Sequence, residues 1–305
     1  MFSSPIWLPA TLVAGALQAW RTAVQRRVSE SLSLNGAGLV RYLYGMPFTT
    51  ALLALYLVVF PTPWPRLNAD FLLFCGAGGL AQIIATNLLI SAFRYRNFVV
   101  GTAYSKTEAA QGAVLSFFLL GETLPPLSWA GIGCGVAGVM LLSTGGRKLG
   151  LWDFVRALGQ PAAVTGIASG FFFALTAIGI RRATQGVDTD TPVFAALIVL
   201  AVTVPLQTVM QGGWLLWREP AEMRRVLSSW RVSGQVGLLS ALGSACWFTG
   251  FATAPVALVR IVGQVEVAFT MAFGHFYLCE TMRRSELAGL ILVAAGVILA
   301  LAGTL

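Results

Sequence analysis

Two stretches of this chain repeat each other in register. Glu266 follows Glu108 by 158 positions, and the same offset carries Glu122-Thr123 onto Glu280-Thr281. It also matches Gly76 with Gly234, Gly79 with Gly237, Phe93 with Phe251, Gly131 with Gly289 and Gly138 with Gly296. The register holds without a gap from about residue 74 to 144 against 232 to 302. Chance does not keep glutamates and glycines in step over that length, so the chain is a duplicated unit. A repeat of this kind ties the fold to two related copies packed together.

The material of each copy is apolar. Hydrophobic residues make up 57% of the chain and charged residues 10%, with a mean hydropathy of +0.78. Soluble domains carry about one charge in four residues, so this is a membrane composition. A helix that crosses the hydrocarbon needs about 20 mostly apolar residues. Ten such stretches lie near 6–25, 36–60, 69–93, 98–120, 126–143, 161–180, 191–211, 232–253, 256–279 and 285–303. Five fall in each copy, and an odd number of crossings starts the second copy on the opposite side. The expected fold is therefore an all-α integral membrane protein of ten transmembrane helices, in two inverted five-helix repeats around a central cavity. The repeats cover 1–145 and 161–305, and 146–160 is a linker with a candidate interfacial helix. The first two spans of each copy align less closely, with Arg26-Arg27 against Arg181-Arg182 and Pro47 against Pro205.

The formal net charge of +8 does not point to nucleic acid, because the basic residues sit in short loops. Loops after odd-numbered spans hold Arg26, Arg27, Arg94, Arg96, Arg147, Lys148, Arg156, Arg218, Arg224, Arg225, Arg231, Arg283 and Arg284. Those after even-numbered spans hold only Arg66, Arg181 and Arg182. The positive-inside rule makes the first set cytoplasmic and places both termini outside. The segments 220–231 and 151–158 read as helices lying on the membrane surface. Trp7, Trp64 and Trp129 near one boundary, and Trp152, Trp214 and Trp217 near the other, read as aromatic belts. Cys75, Cys134, Cys246 and Cys279 form no CxxC, so neither a disulfide nor a zinc site is expected.

The residues that stand out are the ionisable ones inside spans. Glu108 and Glu266 lie near mid-span, where an ionised side chain costs about 2.5–3.5 kcal/mol on insertion scales. A partner, a cavity or a proton has to offset that cost, which makes both candidates for a solute or proton site or for helix-pinning bonds. On a regular helix Tyr104, Glu108, Gln111 and Leu115 share a stripe, matched by Val262, Glu266, Phe269, Thr270 and Phe273. Lys106 cannot reach Glu108 along one helix, so it either attracts an anion or neutralises a carboxylate elsewhere. Its counterpart, Gln264, shares a face with Arg260, Met271 and His275. Arg41 and Arg260 lie a few residues inside their spans, where snorkelling to the interface is favoured over solute contact. Gln18, Gln82 and Asn87 either line a cavity or join helices. Glu122 and Glu280 stand at span ends, where they cap or brace the following helix. Gly131, Gly135 and Gly138 form a small-residue surface for close helix approach, either internal packing, which is favoured, or a dimer seam. His275 is the single histidine, so no histidine metal cluster can form, and no ATP-binding or protease motif stands in a credible context.

Trp20, Arg41 and the turn Leu120-Gly121-Glu122-Thr123-Leu124 resemble the drug/metabolite transporter superfamily, in particular its ten-span EamA-like members. Glu266, Cys279-Glu280-Thr281 and the stretch from Gly289 to Gly296 are similar to the matching family segment. The resemblance covers essentially the whole chain. It implies helices around a central cavity and export or exchange of small metabolites, often amino acids or related compounds. It also implies cytoplasmic termini, against the charge distribution. The family commonly has proline after the mid-span residue, where Ala109 and Val267 stand here, so the family's helix kink is not expected from these residues.

Together these readings describe a multi-pass secondary transporter of the inner or plasma membrane that moves a small organic solute by alternating access. Proton coupling is open, and export or exchange is the expected direction. Glu108, Glu266, Lys106, Tyr104, Gln111, Gln264 and Arg41 are the candidate solute- or proton-binding residues. No catalytic residue, metal or cofactor is expected. The partners are a small solute and the lipid bilayer, not nucleic acid, with monomer and homodimer both open. The competing class is a non-transporting membrane scaffold or assembly protein; a lipid-modifying enzyme ranks last, because the loops lack clustered catalytic groups.

Overall fold

The structure is a computed structural model that describes residues 5–94, 104–143, 158–278 and 284–304. These residues are helical, and no strand forms among them; Leu67 and Val187 make an isolated antiparallel bridge. In chain order the helices are α1 (Trp7–Ser29), α2 (Leu34–Leu43), α3 (Met46–Val59), α4 (Phe71–Arg94), α5 (Glu108–Leu120) and α6 (Pro126–Ser143). They continue as α7 (Pro161–Gln185), α8 (Pro192–Arg218), α9 (Pro220–Ser228), α10 (Trp230–Thr253), α11 (Val256–Gly263), α12 (Glu266–Leu278) and α13 (Arg284–Ala302). Pro126, Pro161, Pro192 and Pro220 open their helices, where the missing N–H is no loss and φ is already helical. Gly121 closes α5 at φ 67°, a left-handed cap that a side chain would strain.

Among the described residues, each of the ten apolar stretches carries one helix or a broken pair. Five helical segments are long and apolar enough by themselves to cross a bilayer: Leu34–Val59, Phe71–Ser91, Pro161–Gln185, Pro192–Arg218 and Trp230–Thr253. Shorter apolar helices are Glu108–Leu120, Pro126–Leu142 and Leu287–Ala302. Three spans expected to be continuous are interrupted, at Tyr44-Gly45, Lys106-Thr107 and Gln264-Val265.

The chain packs as two compact units, each drawing on both sequence repeats. The first comprises Met1–Ile83 with Thr176–Ala254, and the second Ile84–Leu175 with Pro255–Leu305. In the first unit α1 packs on α10, and the Trp247 indole N–H donates to Gln18 Oε1 at 3.0 Å. Gly78 and Gly179 bring α4 and α7 close together, since a Cβ on Gly179 would stand 3.0 Å from the Gly78 Cα. Gln18 and Gln82 thus join helices: Gln207 Nε2 donates to Gln82 Oε1 at 2.7 Å and to Gly79 O at 3.1 Å. The surface helix α9 turns Met223 and Val226 into a core with Leu39, Val40, Leu215 and Val236, whereas Leu227 and Trp230 face outward. Its Glu222 accepts from Ser33 N–H, and Glu219 accepts from Ser33 Oγ and Asn35 Nδ2 at 3.0 and 3.1 Å. Glu222 therefore takes the backbone N–H at the N-cap of α2, and Glu219 holds the Ser33 and Asn35 side chains beside it.

The second unit is organised by a glycine seam between α6 and α13. A Cβ on Gly131 would stand 2.5 Å from Ala300 N, and one on Gly138 would stand 2.7 Å from Val293 N. Between them Cys134 Sγ donates to Leu292 O at 3.4 Å. As one sequence rises the other falls, so α6 and α13 run antiparallel. They are the fifth helices of the two copies, and their antiparallel course is the inverted relation that the odd span count requires. The seam is internal packing, as the sequence suggests for Gly131 and Gly138.

Three local expectations change. Trp7 is 6% exposed and belongs to the core, not to an aromatic belt, while Trp64 and Trp217 are exposed at 59% and 71%. Glu122 acts across the fold as well as along the chain: its Oε2 accepts from Val256 N–H at 2.9 Å and caps α11. Arg181 is not a free loop charge, because its Nη1 donates to Phe251 O and Ala254 O at 2.5 and 2.9 Å and closes the end of α10. The segment 151–157, Trp152, Cys279, Glu280 and the His275 side chain lie outside the described residues. The three described cysteines, Cys75, Cys134 and Cys246, are free thiols.

Candidate functional site

The two mid-span glutamates begin helices. In the first copy the turn Lys106-Thr107 precedes α5, and in the second Gln264-Val265 precedes α12, at equivalent positions. Hydrogen bonds shorten from i−4 to i−3 there: Thr107 N–H donates to Tyr104 O at 3.2 Å and Val265 N–H to Val262 O at 3.1 Å. Neither break needs proline: Ala109 and Val267 follow the two glutamates. In the first copy Thr107 Oγ1 donates to Tyr104 O at 2.6 Å, and Gln111 Nε2 donates to Thr107 Oγ1 at 2.7 Å. Gln111 Nε2 also reaches Ile167 O on α7 at 3.3 Å.

Each glutamate is paired with a base from the other copy. Lys106 Nζ lies 3.3 Å from Glu266 Oε2, with side chains 27% and 12% exposed. The Arg260 guanidinium pairs with Glu108 Oε1, with 13% and 17% exposed, and its Nη2 donates to Phe173 O at 3.0 Å. Arg260 thus turns inward instead of snorkelling, because a carboxylate and a carbonyl are both within its reach. The two acids and two bases balance, so the cluster carries no formal net charge. This placement answers the question the sequence leaves open for Lys106: it neutralises a carboxylate on another span.

Backbone proximity holds the cluster in place. Gly170 of α7 lies against the first break; a Cβ there would meet Ser105 O at 3.0 Å, Gln111 Nε2 at 3.1 Å and Glu108 N at 3.3 Å. Gly135 of α6 lies against the second, where a Cβ would stand 2.5 Å from Gln264 Oε1. Gln264 is 5% exposed, and neither its amide nitrogen nor its oxygen has a hydrogen-bond partner among the described residues.

Of the residues singled out from sequence, Lys106, Glu108, Gln111, Gln264 and Glu266 flank the two breaks. Tyr104 does not share the stripe with Glu108, because the break intervenes; it packs with Ala163, Met140 and Ile167. Arg41 belongs to the other unit, where it is 6% exposed, so it does not snorkel either. Arg260 and Gly170 are the additions. Arg260 is visible in sequence as a base a few residues inside a span, but nothing local indicates its partner; Gly170 gives no signal without the fold. No group of three His, Cys, Asp or Glu suited to a metal ion occurs among the described residues.

No curated protein matches the chain. A solved structure titled "Crystal structure of protein" superposes with a TM-score of 0.68 at 17% identity, covering 96% of each chain, a likeness of fold. Residues 5–144 and 160–302 match the EamA-like transporter family, two segments that coincide with the two sequence repeats. Two repeats built from apolar helices and matched over nearly their whole length leave one conclusion: the chain is a multi-pass membrane protein that belongs to the EamA-like transporter family.

Proposed function

We propose that the chain is a secondary transporter that moves a small organic solute by alternating access, with ten spans divided between the repeats 1–145 and 161–305. The observation that carries this reading is the pair of crossed ion pairs at equivalent helix breaks, Lys106 with Glu266 and Arg260 with Glu108. Broken helices beside charged groups at the bilayer midplane are where inverted-repeat transporters bind solute. Because the cluster balances its own charge, it favours solutes that bring equal numbers of positive and negative groups, such as amino acids. An amine can replace a base at either carboxylate, and a carboxylate can replace an acid at Lys106 or Arg260. Export or exchange through the inner or plasma membrane follows the family's character, and the charge distribution places both termini outside.

The asymmetry of the pairs supplies a cycle. The repeat equivalent of the Lys106–Glu266 contact joins Gln264 to Glu108. The Gln264 side-chain amide makes no hydrogen bond among the described residues in this state. If the copies exchange conformations between the two facing states, Gln264 takes Glu108 as Lys106 releases Glu266. Metabolite profiling of cells lacking and overproducing the protein identifies the solute, and uptake into proteoliposomes then tests the site. Glu108→Gln and Glu266→Gln are expected to abolish uptake. Uptake that survives both substitutions removes the proposed site. Insensitivity to an imposed pH gradient removes proton coupling and leaves the rest.

A further inference from the structure

The first unit holds a second polar pocket, and none of its residues belongs to the Glu108–Glu266 cluster. Arg41, Tyr42, Gly45, Thr49, Gln82, Gln207, Ser240 and Ser244 line it, with Leu200, Val204, Ala241 and Phe248 as its apolar wall. It forms where the second span breaks at Tyr44-Gly45, which brings the end of α2 against α8 and α10. Its open centre accommodates about one water-sized sphere.

The polar groups around that centre are unusual for the inside of an apolar helix bundle. Tyr42, Ser240 and Gln207 are 2%, 5% and 0% exposed. Tyr42 Oη, Ser240 Oγ and Gln207 Oε1 nevertheless have no hydrogen-bond partner among the described residues. The Arg41 guanidinium stands 5.6 Å from the Tyr42 ring centre, and Arg41, Tyr42 and Ser240 line the same pocket. Each such buried atom costs about 1–3 kcal/mol unless something occupies the space between them. The donors present are a guanidinium and two hydroxyls, which together suit a compact acceptor of negative charge. Gln207 Oε1 can only accept, and its Nε2 donates to Gln82 and Gly79, so Gln207 forms a wall of the pocket and does not hold the anion.

We propose that this pocket binds a small monovalent anion, either a halide or the carboxylate end of a short acid, held by Arg41, Tyr42 and Ser240. The space is too small for phosphate or sulfate. Such an anion ties α2 to α10 across the break in the second span, so its binding is read directly as stability.

The test uses the purified full chain in detergent at constant ionic strength. Thermal unfolding is followed while sodium gluconate is replaced by sodium chloride, sodium formate or sodium sulfate. The expected result is a saturable rise of the midpoint with chloride, formate or both, and none with sulfate. Chloride alone identifies a halide site, and formate at equal or lower concentration identifies a carboxylate site. Arg41→Gln is expected to raise the half-saturating concentration at least tenfold. Should that variant fail to fold, Tyr42→Phe and Ser240→Ala each retain the wall of the pocket and are expected to raise it severalfold. The proposal is overturned if neither anion gives a saturable shift, if sulfate gives the same shift, or if the variants respond as the parent does. Because the readout is binding and not transport, the result stands apart from the fate of the Glu108–Glu266 site.

Discussion

Replacing Lys106 by glutamine removes one charge and takes the ammonium partner away from Glu266 inside a span. At 3.3 Å the gross attraction of the pair is about 5 kcal/mol at an effective dielectric constant near 20. Desolvation offsets part of it, and fully buried pairs lose about 3–5 kcal/mol when one partner is removed. Lys106 keeps 27% of its side chain exposed, so the loss falls at the lower end, about 2–3 kcal/mol. That figure agrees with the roughly 2.5–3.5 kcal/mol cost of an unpaired charge at mid-span. Glu266→Gln alone leaves an unpaired ammonium and costs a similar amount. The double variant leaves two neutral side chains of nearly the original shape and is expected to lose about 1 kcal/mol or less. Reversible unfolding in mixed detergent micelles, run on the parent, both single variants and the double variant, measures the coupling as a double-mutant cycle. A coupling of at least 2 kcal/mol is expected. Losses that simply add to within about 0.5 kcal/mol would falsify the claim that Lys106 is the partner of Glu266.

Arg260→Gln is expected to cost more than Lys106→Gln, about 3–5 kcal/mol, because its side chain is only 13% exposed and also holds Phe173 O; the same unfolding assay ranks the two, and the reverse order refutes the assignment. Gly131→Ala and Gly138→Ala place a Cβ against backbone of α13 and are expected to lose about 1–3 kcal/mol each by overpacking, whereas Gly133→Ala meets nothing within 4 Å and serves as the neutral control. Gln264→Lys supplies a charged partner for Glu108 in the opposite-facing state. By holding the chain in that state the substitution is expected to lower proteoliposome uptake severalfold without lowering the unfolding midpoint, and uptake equal to the parent's refutes the exchange of partners. Gly170→Ala is expected to lower solute uptake more than it lowers stability, read as uptake per folded protein, because its Cβ displaces Ser105 and Gln111 by a few tenths of an ångström at the break.

What could be read along the chain was whatever the duplication wrote twice. The glycines of the α6–α13 seam and the inverted course of the copies follow from matches such as Gly131 with Gly289 and from an odd number of spans. The helix breaks before Glu108 and Glu266 were hidden. In a uniformly apolar span there is no polar face whose phase slips when the helix is interrupted, and no proline marks these sites. Partnerships between copies were hidden for a different reason. Lys106 and Glu266 are 160 residues apart, and local spacing says only that Lys106 cannot meet Glu108. Arg41 and Arg260 resemble snorkelling residues by their distance from span ends, but partners within reach decide the direction of a long side chain. Trp7 failed as a belt residue because proximity to a span end does not specify which side of the helix faces lipid.

Cys134 touches Leu292, and the repeat offset makes these two residues equivalents of one another. A position can meet its own equivalent only on a twofold axis. The seam on which the second unit is built therefore has the geometry of an isologous homodimer contact, in which one surface recognises itself. Such a contact needs no second partner to evolve, only a half-length chain able to insert in both orientations. Fusion then releases each half from the obligation to match the other, and Lys106 against Gln264 records that release: a heterodimer's freedom carried within a single polypeptide.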